Sequence, residues 1–333
     1  MKKPYALGLV GTGAIGAMHA KTVATLDGVQ LVAACDTNAA SLAAATEITG
    51  ARGYERYRDL VFEERLDGIV VCTPPVTHPE IARFFLERGV DVLCEKPLAI
   101  DAASAQEMYD AARRNGRLLM LASKFRYVPD IAGARRLIAE GALGKIRHAE
   151  IVFISNVDMR SRWNSDPAQS GGGVIIDNGP HAADITRYLF GPVTHVAAVG
   201  YARDERLSVE DSAYLYLGTQ NAGVAVDLSW SLDRKFPYYV RVFGERGRLC
   251  LGWQQSTLSV GPSGVTTPIG PGYSKTDAFA ALQTDFVRAS SGRGKPRIDA
   301  ASALGSVDVI EAAYASIRDG GRTAVGAPER IAV

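Results

Sequence analysis

Residues 5–38 constrain the fold of this chain more than any other stretch. A short apolar run, Tyr5–Val10, meets the turn Gly11-Thr12-Gly13-Ala14-Ile15-Gly16, and residues 17–26 follow with helical spacing. Glycine-rich turns are common, so the turn gains meaning only from the strand before it and the helix after it. In that setting the first glycine permits the tight turn and the second lets the backbone approach a pyrophosphate. The third lets helix and strand pack closely. The N–H groups at the helix start then face the anion. The next apolar run, 31–35, ends in Asp36, where an acid accepts hydrogen bonds from an adenosine ribose and repels a 2′-phosphate. Thr37 and Asn38 follow, with no basic residue to hold that phosphate, so the stretch reads as a site for NAD rather than NADP.

Strand and helix patterns alternate through the first half, as a doubly wound parallel sheet requires. Strands are expected at 67–72, 90–94 and 117–122, and helices at 78–88 and 102–115. Ligands of such sheets bind outside the carboxyl ends of the strands. Thr73-Pro74-Pro75, with His78 beyond it, and Glu95-Lys96-Pro97 both stand at strand ends and are therefore expected to face the cofactor. A lysine pinned there by a proline is poorly explained as a solvated surface charge. For His78, a place at the helix start explains it as well as a ligand contact does.

The second half changes character. A helix is expected at 130–140, a strand at 146–155 and a polar loop at 156–170 carrying Asn156, Asp158, Arg160, Arg162 and Trp163. Period-two runs at 193–199, 212–217, 224–231 and 238–243 imply a sheet with one face packed on helices. The last run joins 248–251 through Gly244-Glu245-Arg246-Gly247, a hairpin signal. A loop is expected at 261–272, and two helices, 277–290 and 300–318, close the chain. The fold class is thus α/β: a Rossmann doubly wound parallel sheet over 1–123, then an α/β domain over 124–333 built on a large, mostly antiparallel open sheet.

Within the second half lies Gly171-Gly172-Gly173, leading to Asp177, His181 and Asp184. If the backbone is helical, spacings of four and three place the three side chains on one face. Asn178-Gly179-Pro180 interrupts that face, so a kink or a fresh helix start at Pro180 is the alternative. An imidazole beside a carboxylate suits proton transfer with a hydroxyl near neutral pH. Equally, Asp177 would serve as a cap and His181 as a half-buried helix residue.

Composition narrows the partners. Charge is balanced, 37 basic against 36 acidic residues, which argues against nucleic acid or an anionic membrane. No apolar stretch approaches the length that spans a bilayer. The start, Met1-Lys2-Lys3-Pro4 and the run after it, has the charge of a secretion signal but too short an apolar region. Four cysteines, Cys35, Cys72, Cys94 and Cys250, lack metal-like spacing and read as reduced core thiols of a cytoplasmic protein. No metal site is expected.

The ordered set of the glycine turn, Asp36, Cys72-Thr73-Pro74-Pro75 with His78, Glu95-Lys96-Pro97, and the triple glycine leading to Asp177 and His181 resembles the Gfo/Idh/MocA oxidoreductases. The likeness spans nearly the whole chain, and the lysine–proline pair with the downstream Asp and His is its most specific part. The resemblance implies NAD(P)-linked oxidation or reduction of a sugar, cyclitol or related polyol, and a C-terminal sheet often used to form homodimers or homotetramers. It implies Lys96 as the motif lysine, Asp177 as the carboxylate that orients substrate and His181 as the general acid/base. Many members carry Asn where this chain has Pro75. Arg126, Asn156 and Trp163 complete the expected substrate set, with Lys96, Asp177 and His181. Two alternatives stand beside a dehydrogenase: an oxidoreductase that keeps its cofactor between two sugar substrates, and a non-catalytic NAD-binding regulator.

Overall fold

The computed structural model describes residues 3–261 and 264–326. Met1 and Lys2 of the opening run, Pro262 and Ser263 of the 261–272 loop, and 327–333 lie outside the described residues. The chain divides into two compact units, Met1–Lys124 with Lys275–Ala303, and Phe125–Ser274 with Leu304–Val333.

The first unit alternates strand and helix: β1 (Tyr5–Val10), α1 (Ala14–Val23), β2 (Val29–Cys35), α2 (Ala39–Thr49), β3 (Arg52–Tyr54), α3 (Tyr57–Glu63), β4 (Gly68–Val71), α4 (His78–Leu86), β5 (Asp91–Cys94), α5 (Ala102–Arg114) and β6 (Leu119–Leu121). The strands pair in parallel in the order β3-β2-β1-β4-β5-β6. This is the doubly wound order, and it reverses between β1 and β4, where a ligand crevice is expected. β4 and β5 are buried at every position, as strands covered on both faces must be. Elements α2, β3 and α3 carry no strong pattern: α2 is rich in alanine and buries only Ala45.

In the second unit, α6 (Pro129–Ala139), β7 (Ile146–Ile154), α7 (Pro167–Ser170) and α8 (Val174–Phe190) precede a run of strands. These are β8 (Val193–Tyr201), β9 (Ser212–Thr219), β10 (Gly223–Ser229), β11 (Tyr238–Gly244), β12 (Gly247–Gly252), β13 (Ser256–Val260) and β14 (Thr266–Gly270). Helices α9 (Lys275–Ser290) and α10 (Ala300–Asp319) and the short β15 (Thr323–Ala324) follow. The nine-stranded sheet runs β14-β13-β12-β11-β7-β10-β9-β8-β15, antiparallel except for β7 beside β10. In β9, Ala213, Leu215 and Leu217 are buried while Tyr214 and Tyr216 are exposed, so one face carries the core.

Two expectations change, and the alternative left open at Pro180 is decided. The 261–272 loop contains β14, which pairs with β13; threonine and proline masked a short edge strand. Helix α9, grouped by sequence with the second half, belongs to the first unit and packs on α1. Helix α8 is one helix across Pro180 rather than two. Proline removes one backbone donor there, and tertiary packing outweighs that loss.

Candidate active site

The glycine turn of the first unit has the geometry of an anion cradle. Gly11 sits at φ +89, and a Cβ on it would lie 2.6 Å from the carbonyl carbon of Cys72, so β1 and β4 meet there backbone to backbone. A Cβ on Gly16 would lie 1.9 Å from the Gly11 oxygen. At Gly13 a Cβ would meet nothing within 4 Å, which leaves the turn open at its middle. Helix α1 begins with Ala14 and Ile15 and has no side-chain cap, so its first N–H groups are available to a phosphate. Asp36 stands beside the turn, accepting the Thr12 N–H at 2.6 Å and the Thr12 hydroxyl at 2.9 Å through Oδ2. Its Oδ1 accepts the Asn38 N–H at 2.8 Å, and Thr37 is exposed. These residues fit a dinucleotide: an open glycine bend, an uncapped helix start and a carboxylate at the end of β2.

The two strand-end loops are clasped by His78. This buried imidazole places Nδ1 2.9 Å from the Pro97 carbonyl and Nε2 2.8 Å from the Thr73 carbonyl. Burial pushes its pKa down, against the raising effect of those carbonyls. His78 therefore acts from behind the loops, holding Thr73-Pro74 and Lys96-Pro97 in place. The Thr77 hydroxyl adds a 2.7 Å bond to the Thr73 hydroxyl. Pro75 is buried at the start of a short 3-10 turn.

Glu95 is 5% exposed and accepts the Lys96 N–H at 3.0 Å. Burial raises its pKa, but the hydrogen bond from His19 and the positive charge around it, Lys96 and Lys124 included, outweigh burial and lower it overall. Lys96 itself is half-buried.

In the second unit, the unbroken α8 puts Asp177, His181 and Asp184 on one face, one turn apart. Exposure falls along that face: Asp177 is half-buried, His181 is 6% exposed and Asp184 is 1% exposed. The His181 ring meets Phe125 at 5.0 Å and Phe153 at 6.1 Å between centroids, both T-shaped, which fixes its plane. Asp184 is engaged by Arg126, which donates from Nε at 2.9 Å and from a terminal nitrogen at 2.7 Å. The Arg126 guanidinium also stacks over Tyr188 at 4.7 Å. Arg126, expected among the polar groups that read substrate, is buried and paired with Asp184 of α8.

The triple glycine meets a clamp that no local signal announces. The Glu210 carboxylate accepts the Gly173 N–H at 3.1 Å, the Ile175 N–H at 3.0 Å and the Tyr314 hydroxyl at 2.8 Å. Its backbone oxygen accepts the Val174 N–H at 2.8 Å. A Cβ on Gly173 would fall 1.9 Å from that oxygen, and one on Gly172 would fall 2.0 Å from the Tyr314 hydroxyl oxygen. Gly179 similarly makes room for Ile310 of α10.

The 156–163 loop is more open. Asn156 is exposed, bridges to Ser231 and lines a cavity of about 610 Å³ with Asp158, Arg160, Asp204 and Arg206. Two arginines of this cavity are already engaged: Arg160 pairs with Asp158 at 2.5 Å and Arg206 with Asp204 at 2.6 Å. Trp163 is 39% exposed at the start of a short 3-10 turn.

Residues 6–123 match the family model described as "Oxidoreductase family, NAD-binding Rossmann fold", and 131–250 match the "GFO/IDH/MocA C-terminal domain". The chain is 29% identical over 334 residues to D-apiose dehydrogenase of Paraburkholderia graminis, covering 94% of this chain and 87% of that protein. It is 30% identical over 253 residues to inositol 2-dehydrogenase 2 of Saccharopolyspora erythraea, covering 74% and 72%. An oxidoreductase from Agrobacterium radiobacter, solved with NAD+, L-tartaric acid and magnesium, shares the fold at TM-score 0.86 and 23% identity, over 97% of this chain and 98% of that one.

Proposed function

The chain belongs to the Gfo/Idh/MocA oxidoreductase family, and from that premise we propose that it moves a hydride between NAD and a secondary hydroxyl or ketone of a sugar, cyclitol or sugar derivative. The observation that carries this reading is the continuity of α8, which sets Asp177 and His181 one turn apart on one face. The relatives named for apiose and inositol supply the substrate class. Residues 1–123 hold the cofactor, through Gly11 to Gly16, Asp36, Thr37 and the loops at Thr73-Pro74 and Glu95-Lys96. The substrate residues lie within 124–333, apart from Lys96.

When bound, the nicotinamide supplies the carbon that accepts or gives up the hydride. The imidazole of His181 takes the hydroxyl proton in oxidation and returns it in reduction, a contribution worth roughly 100- to 10,000-fold. The Lys96 ammonium stabilises negative charge developing on the reacting oxygen. Asp177 accepts a neighbouring hydroxyl and sets the ring so that the reacting C–H is correctly aimed. Asn156 and Trp163 contact the remainder of the substrate. Arg126 serves the site indirectly, by bracing α8 through Asp184.

We assign the protein to the cytoplasm, the compartment that suits its four free cysteines. Among the described residues no helix is long and apolar enough to cross a membrane. We also assign it a homodimer or homotetramer formed through the nine-stranded sheet, supported by the exposed Val199, Tyr214 and Tyr216.

The test is an NAD-reduction screen over inositols, aldoses and glycosides with His181→Ala and Lys96→Ala as blanks. Turnover should fall by roughly 100-fold or more in each, while NADH binding, followed by fluorescence, stays near wild type in His181→Ala. Wild-type rates in both variants on the same substrate would overturn the assignment.

A further inference from the structure

Behind Glu95 lies a buried chain of hydrogen bonds that the reaction as described does not use. His19 of α1 is 1% exposed, and its Nε2 lies 3.0 Å from Glu95 Oε1. Its Nδ1 lies 2.7 Å from the amide nitrogen of Gln283, a residue of α9 that is itself 1% exposed. The same amide nitrogen donates to the His19 carbonyl at 3.2 Å. A carbonyl only accepts, so that end of Gln283 is the NH2 group, and Nδ1 of His19 must accept as well. The ring proton therefore sits on Nε2 and is donated to Glu95. The other carboxylate oxygen, Oε2, takes the Lys96 N–H. One buried carboxylate thus ties the helix that begins at the glycine turn to the backbone of the motif lysine.

We propose that His19 is a positioning residue of the reaction: held in its Nε2–H tautomer by Gln283, it anchors Glu95 and so fixes the turn that presents Lys96. The proposal rests on the reading that Lys96 acts on substrate. The titratable groups facing Glu95 are His19 from α1, Lys96 on its own turn, Lys124 after β6, His78 at the start of α4, and the thiols of Cys72 and Cys94. Both lysines favour the ionised carboxylate, and the thiols, pushed up by burial, stay neutral. With the His19 donor removed, burial has less opposing it and the Glu95 carboxyl takes a proton at higher pH. Protonation weakens its hold on the Lys96 N–H.

His19→Phe removes the donor while keeping an aromatic ring against Phe279, which His19 meets T-shaped at 4.8 Å. His19→Gln keeps an N–H at about the position of Nε2. Three readouts separate positioning from loss of fold: NADH affinity by fluorescence, the pH profile of kcat on the best polyol from the screen, and the Glu95 carboxyl titration. The titration uses 13C-labelled glutamate in cofactor-free protein, assigned with Glu95→Gln.

In His19→Phe, NADH affinity should stay within about threefold, and kcat should fall roughly 10- to 100-fold, as loss of a buried hydrogen bond to a charge predicts. The loss should deepen toward acid pH, the Glu95 midpoint should rise, and His19→Gln should restore most of kcat. An unmoved Glu95 midpoint, or an unchanged kcat and pH profile in His19→Phe, would sink the proposal. So would equal losses of kcat and NADH affinity in both variants. Should His19→Phe not fold, Gln283→Leu carries the test, with a smaller fall in kcat expected and an unchanged kcat counting against the proposal. Lys96→Ala distinguishes the two levels: full turnover there defeats the role of Lys96 itself. An inactive Lys96→Ala beside an unmoved Glu95 midpoint defeats only the role of His19.

Discussion

Asp36 does two things with one side chain, and they pull apart under mutation. Its Oδ2 organises the glycine turn through Thr12, while its charge would repel a 2′-phosphate placed beside it. Asp36→Asn keeps an acceptor for Thr12 and removes the charge. The ratio of kcat/KM for NAD over NADP should then fall by roughly 10- to 100-fold, the scale of one partly screened charge contact. NAD itself should lose less than NADP gains. A ratio unmoved by the substitution would mean that Asp36 serves the turn alone. Sequence made Asp36 legible because its place after a strand is dictated by the motif. The same local logic exposed Lys96 and the pair of Asp177 and His181. It could not reveal that His78 works from behind the loops, or that Arg126 is taken by Asp184, because those partners lie 19 and 58 residues away along the chain.

Helix α8 carries most of what the second unit contributes, and its start is held by residues from other elements. Glu210 takes N–H groups that a helix N-terminus otherwise leaves bare, and its negative charge suits the positive end of the helix dipole. Gly173 permits this close approach. Gly173→Ala, whose Cβ would meet the Glu210 backbone rather than a movable side-chain end, should destabilise the fold by about 1–3 kcal/mol in urea unfolding. A loss below experimental error would show that the clamp yields. Glu210 also makes a pH prediction. Burial pushes its carboxyl above the ordinary range, against the Tyr314 hydroxyl and the N–H groups of Ile175 and Gly173. The folded protein therefore holds this proton more tightly than the unfolded chain. The stability it contributes is complete below the unfolded pKa and is lost as pH rises through the folded one. Wild type should thus lose stability relative to Glu210→Gln as pH rises above the ordinary carboxylate range, and a difference that stays constant with pH would contradict it. The triple glycine was visible in the sequence, but its reason was not: Glu210 and Tyr314 follow it by dozens of residues and announce nothing locally.

At the scale of the whole molecule, the alternating pattern exposed both sheets, because period and strand spacing are local properties. The destination of α9 was not legible, since an amphipathic helix does not say which core it will cover. Nor does period two say what meets the far face of the large sheet. There Tyr214 and Tyr216 are each 46% exposed and Val199 is 62% exposed, beside a Glu150–Arg241 ion pair of 2.6 Å. Tyr201 and His195 flank the two tyrosines, with ring centroids at 6.5 Å and 6.4 Å. Aromatic and arginine side chains on a broad, regular face are the composition of an interface centre, and a two-fold axis would oppose that face to itself. A stable pairing buries roughly 1,200–2,000 Å² in total, an area that a nine-stranded sheet can supply. Placing Tyr214→Arg and Tyr216→Arg together would set like charges against each other across the axis and remove the aromatic anchors. Loss of a central anchor costs about 2 kcal/mol or more per subunit, so the dissociation constant should rise at least roughly 100-fold. Sedimentation of the wild type should show a dimer or tetramer at micromolar concentration, and the double variant should shift toward monomer with its circular dichroism unchanged. A monomeric wild type, or an assembly indifferent to both arginines, would mean that this face meets only solvent.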